Sequence, residues 1–583
     1  MIRRPAVPTT RLTAETRQQA LEQMEREELD VLVVGGGVTG AGIALDAATR
    51  GLNVGIIEAQ DWSSGTSSRS SKLVHGGLRY LYNLDVKLVA EALHERGLLL
   101  STIAPHLVRP QAFLWPLKTP VLERGYSAVG IGLYDALAFL GSRGHKTLPF
   151  QKHLSKRATL KAFPDVNAES VVGSIRFFDS RVDDSRLVIT LVRTAARYGA
   201  LAASRTEVTD LTRDARGRVT GAIATDLETG TEHSIRARET ILATGVWTEE
   251  TQRLSGGSGG LRVLASKGVH IVVPRDRIAG TTGLFLRTEK SVLFIIPWPD
   301  YWIIGTTDTA WHEDLQHPTA TRADIDYILD HANAALTSNL TRDDIIGVYA
   351  GLRPLLQPGT LDESKSTKVS REHTVTRPAE GLTSIAGGKL TTYRVMAQDA
   401  VDFVLGEKAH SLPSVTERTP LVGADGYTAT RARTQHIAAH YGWDAHRVTH
   451  LLHRYGSAID ELTALVDDDP SLGLPLAAAP RYLRAEVVYA VTHEGALHLE
   501  DILLHRIRLH FEQSDHGVSA LDEIGTLVAD LLGLDTAALD QEKENYRQAM
   551  AAQDAAEQVD TDEQASAVRN DAPDLLPLEP LAH

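Results

Sequence analysis

The sequence contains no cysteine among its 583 residues. This absence excludes disulfide bonds, cysteine-ligated iron–sulfur clusters and thiol relays. If the chain carries out redox chemistry, a bound organic cofactor must therefore both accept the electrons and pass them on.

Long apolar runs are also missing from the chain. None reaches the length of about 18 residues that is needed to span a bilayer, and the N-terminus lacks the apolar core of a secretory signal. The formal net charge of −15 disfavours broad binding to nucleic acid. We therefore expect a cytoplasmic protein, or one associated peripherally with the inner face of the cell membrane, with no nucleic-acid partner.

The stretch from Asp30 to Glu58 has the pattern of a dinucleotide-binding βαβ unit. Gly35, Gly37 and Gly40 follow an apolar run and open a helical segment, and a second strand ends at Glu58. Glycine at these positions allows a tight turn, close approach of backbone to a pyrophosphate, and close packing of helix on strand. The pyrophosphate would lie at the helix N-terminus. The acid at the end of the second strand would accept hydrogen bonds from a ribose and argues against a 2′-phosphate, hence against NADP.

Three later segments extend this candidate site. The stretch from Asp61 to Leu81 has the small hydroxyl residues and glycines of a linker, but it follows the strand that ends at Glu58 and carries several cationic side chains. Thr244 and Gly245 end another strand, where the chain can pass close to a pyrophosphate or ribose. The glycine-to-helix junction at Gly388 can aim a second helix N-terminus at the same cofactor.

The remaining sequence divides by composition. Residues 266–310 are rich in β-branched and aromatic residues interrupted by proline and glycine, which predicts a mostly antiparallel sheet. Residues 426–548 have the amphipathic periodicity of helices almost throughout. Residues 551–583 are acidic and predict a disordered tail.

Eight motifs, in this order and spacing, resemble the FAD-dependent glycerol-3-phosphate dehydrogenases of the respiratory, quinone-linked type. The resemblance covers roughly residues 30–545. Besides the glycine fingerprint, the motifs that carry it are GTSSRSSKLVHGGLRYL, FFDSRVDDSRLV, LATGVW, KGVHIVVP, IIGTTDT, GLRPL and GGKLTTYR, with HEGALHLED in the helical region.

This resemblance implies a fold and an activity. The implied fold is mixed α/β and α+β: a Rossmann-like FAD-binding domain with an inserted antiparallel-sheet substrate domain, as in glycine and amino-acid oxidases, and a C-terminal all-helical domain. The implied activity is oxidation of sn-glycerol 3-phosphate to dihydroxyacetone phosphate by hydride transfer to non-covalently bound FAD, with electrons passed to a membrane quinone. A homodimer is left open.

The corresponding domain division follows the composition. Residues 1–29 form an N-terminal extension, 30–408 the FAD-dependent body, 409–550 the helical domain and 551–583 the tail. Within the body, the predicted FAD-binding parts are about 30–104, 185–265 and 350–408, and the substrate-binding parts are about 105–184 and 266–349.

The resemblance assigns the cofactor and substrate residues. The predicted FAD-binding residues are Gly35, Gly37, Gly40, Glu58, Thr66, Ser67, Ser71, Lys72, Leu73, His75, Val208, Thr244, Gly245, Trp247, Gly388, Lys389, Leu390, Thr391 and Thr392. The predicted substrate residues are Arg79 and Arg353, which would hold the phosphate through paired guanidinium hydrogen bonds, with hydroxyls from Tyr80 and Thr307.

The predicted catalytic groups are His270, Arg353 and Lys389. An imidazole can accept the proton of the substrate hydroxyl near neutral pH, although a satisfied histidine within a sheet is the plain alternative for His270. His75 is a rival base, but the glycines after it favour a backbone role. The ammonium of Lys389 would stabilise negative charge on the reduced flavin or the substrate oxygen.

We predict no metal site, because Asp183 or Asp184 is better explained as a helix N-cap than as a ligand. Two alternatives to the quinone-linked dehydrogenase remain open from the sequence. One is a flavin oxidase of the same fold that reduces dioxygen with glycerol 3-phosphate or an amino acid. The other is a non-catalytic flavin-binding scaffold.

Overall fold

The computed structural model of the chain describes residues 10–77, 86–119, 130–138, 148–256, 261–288, 292–356, 366–369 and 373–578. The predicted substrate residues Arg79 and Tyr80 lie outside these ranges. In chain order, the strands are β1 (Leu29–Val34), β2 (Val54–Ile57), β3 (Leu73–Val74), β4 (Arg109–Leu117), β5 (Lys152–Ser155), β6 (Gly173–Arg181), β7 (Leu201–Ala203), β8 (Thr206–Arg213), β9 (Val219–Asp226), β10 (Thr231–Leu242), β11 (Val263–Pro274), β12 (Gly283–Arg287), β13 (Val292–Pro297), β14 (Tyr301–Gly305), β15 (Thr309–Ala310), β16 (Gly347–Leu356), β17 (Ser366–Val369), β18 (His373–Ala379) and β19 (Leu382–Gly387).

The first sheet has a parallel centre in the order β19-β10-β1-β2-β7. β17 and β18 extend it antiparallel beyond β19, and β8 and β9 form an antiparallel meander with β10. The strands β1 and β2 are almost entirely buried, as expected for parallel strands covered on both faces. The carboxyl ends of β1, β10 and β19 therefore meet at one edge of the sheet.

The helix Val38–Thr49 follows β1 and packs directly on it. Its close approach depends on Gly40, where a Cβ atom would lie 1.9 Å from the carbonyl oxygen of Gly35. Gly35 itself has φ +112°, a conformation that side chains other than glycine rarely adopt. The βαβ unit predicted from these glycines is thus present in the fold.

The second sheet is mostly antiparallel, in the order β15-β11-β14-β13-β12-β4-β6-β3, with β16 on the other side of β11 and β5 beside β6. The predicted boundary between the substrate-binding part and the FAD-binding part, at residue 350, falls inside β16. This strand is continuous across the boundary because its whole length pairs with β11. The helices that accompany the two sheets are Ala14–Arg26, Val38–Thr49, Val86–Leu98, Lys156–Ala162, Asp184–Arg197, Thr248–Arg253, Arg322–Ala335 and Tyr393–Leu405.

The C-terminal region is helical and docks onto the FAD-binding sheet through buried ion pairs. Arg186 meets Glu494 at 2.5 Å, and Arg506 meets Asp61 at 2.6 Å. His498 of the helical region lies 2.9 Å from Glu228, next to β9 of the body, and 2.8 Å from Glu542 of the helical region itself. The helices are Tyr427–Ala432, Thr434–Tyr441, Ala445–Tyr455, Ile459–Asp468, Arg484–Thr492, Leu499–Asp501, Leu509–Glu512, Leu521–Leu532, Thr536–Ala556 and Asp562–Asn570. The predicted fold class is confirmed.

The prediction of a disordered acidic tail from residue 551 is wrong for the part up to residue 578. The helix Thr536–Ala556 runs through the predicted boundary, and a further helix, Asp562–Asn570, begins at the N-cap Thr561. Lys267 of β11 pairs with Asp562 as well as with Asp324 at 2.5 Å, and His317 pairs with Asp574 at 2.8 Å. Lys267 and His317 of the body thus provide partners for these acids, and the composition of the tail alone does not reveal such partners.

Within the described ranges, no helix has both the length and the apolar composition needed to cross a membrane.

Candidate cofactor and substrate site

A cavity of about 570 Å³ lies at the carboxyl edge of the first sheet. Such an edge is where open α/β sheets bind their ligands. The predicted FAD-binding residues that line it are Gly35, Gly37, Glu58, Thr66, Ser67, Val208, Thr244, Gly245, Trp247, Gly388, Lys389 and Leu390. The structure thus brings together three glycine-containing turns that are separated by more than 100 residues in the sequence.

The backbone around this cavity fits a dinucleotide. Gly37 is the N-cap of Val38–Thr49 and provides no capping side chain, so the positive end of that helix faces the cavity. Gly245 has φ +57°, and a Cβ atom there would meet no atom within 4 Å. The free space at Gly245 suits close contact with a pyrophosphate, and Val208 on β8 lines the same cavity.

Glu58 lies at the cavity with both carboxylate oxygens engaged by the backbone. Oε2 accepts a hydrogen bond from the Gly36 N–H at 2.5 Å, and Oε1 accepts one from the Gln60 N–H at 2.8 Å. Burial raises the pKa of this carboxyl group, and the two backbone hydrogen bonds act in the opposite direction. Ribose binding by Glu58 stays a prediction. The two backbone amides fix the position of the carboxylate that would bind the ribose.

The second glycine junction connects β19 to the helix Tyr393–Leu405. Gly387 and Gly388 have φ +82° and +90°, and a Cβ atom at Gly388 would lie 2.2 Å from the sulfur of Met396. This turn carries Lys389 and Leu390 to the cavity lining. Glycine is required here for both the conformation and the space.

The other predicted FAD-binding residues lie outside that lining: Gly40, Ser71, Lys72, Leu73, His75, Thr391 and Thr392. Thr391 ties two loops together, because its hydroxyl accepts from the His75 N–H at 3.0 Å and donates to the His75 carbonyl at 3.2 Å. Leu73 is buried in β3, beside Arg181 of β6. The Thr391 contacts fix the loop that follows β3 to the second glycine junction.

Lys72 is oriented differently from the expectation that its side chain lines the cofactor. Its ammonium is buried and donates to Asp184 at 2.6 Å and to the Ser68 carbonyl at 3.0 Å. Burial lowers the pKa of Lys72 to about 8, with Arg508 acting in the same direction and Asp184 against it. The positive charge is used within the protein, to hold the loop against the helix Asp184–Arg197.

A second group of predicted residues shares one face of the second sheet. In the register of β11 and β16, Ser266 is opposite Arg353, and His270 is opposite Tyr349. Because side chains alternate along a strand, Arg353 and His270 are on the same face, with Gly268 between them. The loop that carries Thr66 and Ser67 of the cavity wall also lies over this face, because a Cβ atom at Gly351 would be 2.4 Å from the Arg69 carbonyl oxygen, so the face adjoins the cofactor site.

The guanidinium of Arg353 lies over Gly268, where a Cβ atom would be 2.4 Å from Nη2. Nη2 donates to the Thr306 hydroxyl at 2.9 Å and to the Thr307 carbonyl at 3.1 Å. The Thr307 hydroxyl accepts from the Val269 N–H at 3.0 Å and keeps its own proton to donate. Arg353 and Thr307 are therefore adjacent, as two ligands of one phosphate must be.

His270 is buried, with only 2% of its surface exposed. Its Nε2 is 2.8 Å from the Ser71 hydroxyl, and its ring stacks on Tyr349 at 4.8 Å between centroids. Burial lowers the pKa of His270 well below its usual value, and the charges of Arg353 and Lys72 act in the same direction. The ring is therefore neutral near pH 7, the form that accepts a proton.

Some of the cavity wall was not predicted. Thr206 and Glu207 are next to the predicted Val208, and Gly65 precedes the predicted Thr66, so adjacency was an available indication. Leu315, Gln316 and Leu578 come from a loop and from the tail. No local pattern marks these three, because their position depends on tertiary contacts such as the His317–Asp574 pair.

The cavity, its glycine turns and the adjoining antiparallel face are the features of a flavin-dependent oxidoreductase, and sequence comparison agrees. The family model for FAD dependent oxidoreductases matches residues 30–394, and the model for the C-terminal domain of alpha-glycerophosphate oxidase matches residues 414–539.

Individual relatives narrow the class. Glycerol-3-phosphate dehydrogenase 2 of Mycobacterium tuberculosis (strain ATCC 25618 / H37Rv) is 49% identical over 568 residues, which are 97% of this chain and 96% of that protein. The human mitochondrial glycerol-3-phosphate dehydrogenase is 35% identical over 90% of this chain and 73% of its own length. The crystal structure of the glycerol-3-phosphate dehydrogenase from Bacillus halodurans complexed with FAD has a TM-score of 0.72 and 29% identity, and covers 92% of this chain and 97% of that one.

The chain therefore belongs to the FAD-dependent oxidoreductase family and, within it, to the glycerol-3-phosphate dehydrogenases. The resemblance inferred from the motifs and the prediction of FAD as cofactor are both confirmed.

Proposed function

We propose that this protein oxidises sn-glycerol 3-phosphate to dihydroxyacetone phosphate and passes the electrons to a membrane quinone. The observation that carries the proposal is Arg353 and His270 on one sheet face next to the FAD cavity, in a chain 49% identical to a glycerol-3-phosphate dehydrogenase over 97% of its length.

The phosphate end of the substrate would bind at Arg353. Its guanidinium is partly exposed, lies beside Thr307 and pairs with Asp308 at 3.5 Å, an exposed contact that a phosphate would replace with shorter hydrogen bonds. Arg79 and Tyr80, which lie outside the described residues, are proposed as further ligands on the basis of their motif. A dianionic phosphate calls for more than one cation, whereas an amino-acid carboxylate needs a single arginine clamp.

The hydroxyl end of the substrate would lose its proton to His270. The ring is neutral near pH 7, and its strand places it on the same face as Arg353, so one substrate can contact both regions. FAD, when bound, supplies the two-electron acceptor. Lys389, at the cavity wall, would stabilise the negative charge that results.

The composition supports direct transfer of electrons from FAD to the acceptor. Because the chain has no cysteine, electrons would leave directly from FAD without an iron–sulfur cluster or a thiol pair. A quinone acceptor requires contact with a membrane surface, which we propose to be peripheral. Sedimentation with lipid vesicles at low and high salt tests this contact.

The test is anaerobic addition of glycerol 3-phosphate to the FAD-loaded protein while the flavin absorbance is followed. Bleaching is expected for the wild type, and Arg353→Ala should require at least ~10-fold more substrate because a charged hydrogen bond is lost. Absence of bleaching in the wild type would contradict the proposal and leave a flavin-binding scaffold or a flavin oxidase that acts on an amino acid. Reoxidation by a ubiquinone or menaquinone analogue, compared with dioxygen, separates the dehydrogenase from an oxidase.

A further inference from the structure

We propose that Ser71 relays the substrate proton to His270, so that the substrate hydroxyl meets the Ser71 hydroxyl and not the imidazole itself. This inference rests on the proposed function and deepens it.

The loop that carries Ser71 is fixed over the face shared by His270 and Arg353. It crosses β16 at Gly351, where a Cβ atom would be 2.4 Å from the carbonyl oxygen of Arg69. The Thr66 hydroxyl donates to the Leu352 carbonyl at 2.6 Å, and the Tyr349 hydroxyl donates to the Ser70 carbonyl at 3.1 Å. These contacts hold the loop at a defined height above the sheet, which sets the Ser71 position.

The surroundings of His270 leave few ways for a proton to reach its ring. Tyr349 covers one side at an interplanar angle of 12°, and β14 approaches so closely that a Cβ atom at Gly305 would be 2.3 Å from Cδ2. Nδ1 is buried and has no hydrogen-bond partner in the part of the chain that the structure describes. Nε2, in contrast, faces the Ser71 hydroxyl at 2.8 Å.

Ser71 differs from His270 in its exposure. The serine is partly exposed, whereas the histidine is buried. The serine therefore offers surface that a group of the substrate can contact, whereas the buried Nε2 is already engaged by the serine hydroxyl. The Ser71 hydroxyl is both a donor and an acceptor, as a relay requires.

The proton balance of the step is complete. The substrate hydroxyl proton moves to Ser71 Oγ while the Ser71 proton moves to His270 Nε2, and the C2–O bond becomes a carbonyl. The C2 hydride with its electron pair would be taken up by FAD, which supplies the two-electron acceptor when bound. The product is an imidazolium, and Ser71 regains its original form. Among the described residues, Arg353 and Lys72 are the charged groups that act on this ring, Tyr349 stacks on it, and Asp184 is paired to Lys72 behind them. The two cations favour rapid loss of the proton afterwards.

Two substitutions test the relay. Ser71→Ala removes the hydroxyl, and Ser71→Thr retains it. The matched control is Ser70→Ala, which deletes the neighbouring hydroxyl, whose partner is Asp184 at 2.7 Å and not His270. The measured quantities are the FAD content, the anaerobic rate of flavin bleaching by glycerol 3-phosphate between pH 5 and 9, and its solvent deuterium isotope effect.

We expect Ser71→Ala to lower the bleaching rate by about 10²-fold or more, the lower end of what general acid–base groups contribute, with a changed pH profile and isotope effect. Ser71→Thr should stay within about 10-fold of the wild type, and Ser70→Ala should keep the wild-type pH profile. A second measurement without substrate is ¹⁵N NMR of the histidines, with His270→Gln used for assignment. The relay requires the neutral His270 ring to carry its proton on Nδ1.

A wild-type rate and pH profile in Ser71→Ala would overturn the relay and leave the proposed function intact. The same conclusion would follow from a proton on Nε2 of the neutral ring. If the wild type itself is not bleached, the proposed function fails, and the relay fails with it. Should Ser71→Ala not retain FAD, a Ser71→Thr variant more than about 10-fold slower at full FAD content would count against the relay.

Discussion

Replacement of Glu494 by alanine should loosen the attachment of the helical domain to the FAD-binding sheet. Glu494 belongs to the HEGALHLED motif, and its two carboxylate oxygens accept hydrogen bonds from Arg186 at 2.5 and 2.6 Å. The side chains are only 1% and 2% exposed. Burial by itself would raise the pKa of Glu494, but Arg186 outweighs it and lowers the pKa, so the group is ionised and paired at neutral pH.

The magnitude follows from what the alanine leaves behind. Removing one partner of a buried ion pair leaves an uncompensated buried charge, which typically costs about 3–5 kcal/mol. Replacing both partners with leucine removes that charge, so the Arg186→Leu/Glu494→Leu double variant should recover most of the loss. Glu28→Ala is the surface control: its partner Arg238 is 67% exposed and Glu28 is 53% exposed, and such a pair contributes less than about 1 kcal/mol.

The assay is equilibrium urea unfolding at a fixed excess of FAD, read by pulse proteolysis and by tryptophan fluorescence. The fixed FAD concentration is needed because the ligand stabilises the folded state by mass action. The reasoning would be refuted if Glu494→Ala were no more destabilising than Glu28→Ala, or if the double variant were less stable than the single one.

Three further outcomes are expected. Gly40→Ala should abolish FAD retention in a flavin-content assay, since its Cβ would lie 1.9 Å from the Gly35 carbonyl oxygen. Burial disfavours charge on His498, but its two glutamate partners raise its pKa to about 10. The charged His498 therefore stabilises the fold fully below about pH 6.5, and this stabilisation is lost as the pH rises through 10. In that window the free energy of unfolding from urea titrations should fall less steeply in His498→Gln than in the wild type, by roughly 1 kcal/mol per pH unit. Asp574→Ala should speed FAD release several-fold in a fluorescence dilution assay, because Gln316 of the cavity wall and the adjacent His317 lose their partner, whereas the exposed Asp571→Ala should not.

The parts of the site that were predictable are those where backbone conformation demands a residue type. Gly35 and Gly388 have left-handed φ angles, and each lies at a turn that meets the cavity. Glycine followed by a helix is visible in a sequence without knowledge of the fold. The same holds for the alternation that assigns His270 to one sheet face.

The parts that could not be predicted depend on partners distant in sequence. The direction of the Lys72 ammonium is decided by Asp184, and the order of the tail by Lys267 and His317. The composition of an acidic segment is the same whether or not the folded body provides partners for its carboxylates. Charge compensation between distant segments is a tertiary property, and composition therefore predicted disorder wrongly here.

The presence of Leu578 in the cavity wall has a consequence for biosynthesis. The wall combines residues from Val34 to Leu578, and domains generally fold in the order in which they leave the ribosome. The βαβ unit can thus form early, but the complete cofactor chamber can form only after Leu578 has left the ribosome. Capture of FAD in the complete chamber accordingly follows the synthesis of residue 578, long after the glycine fingerprint has been made.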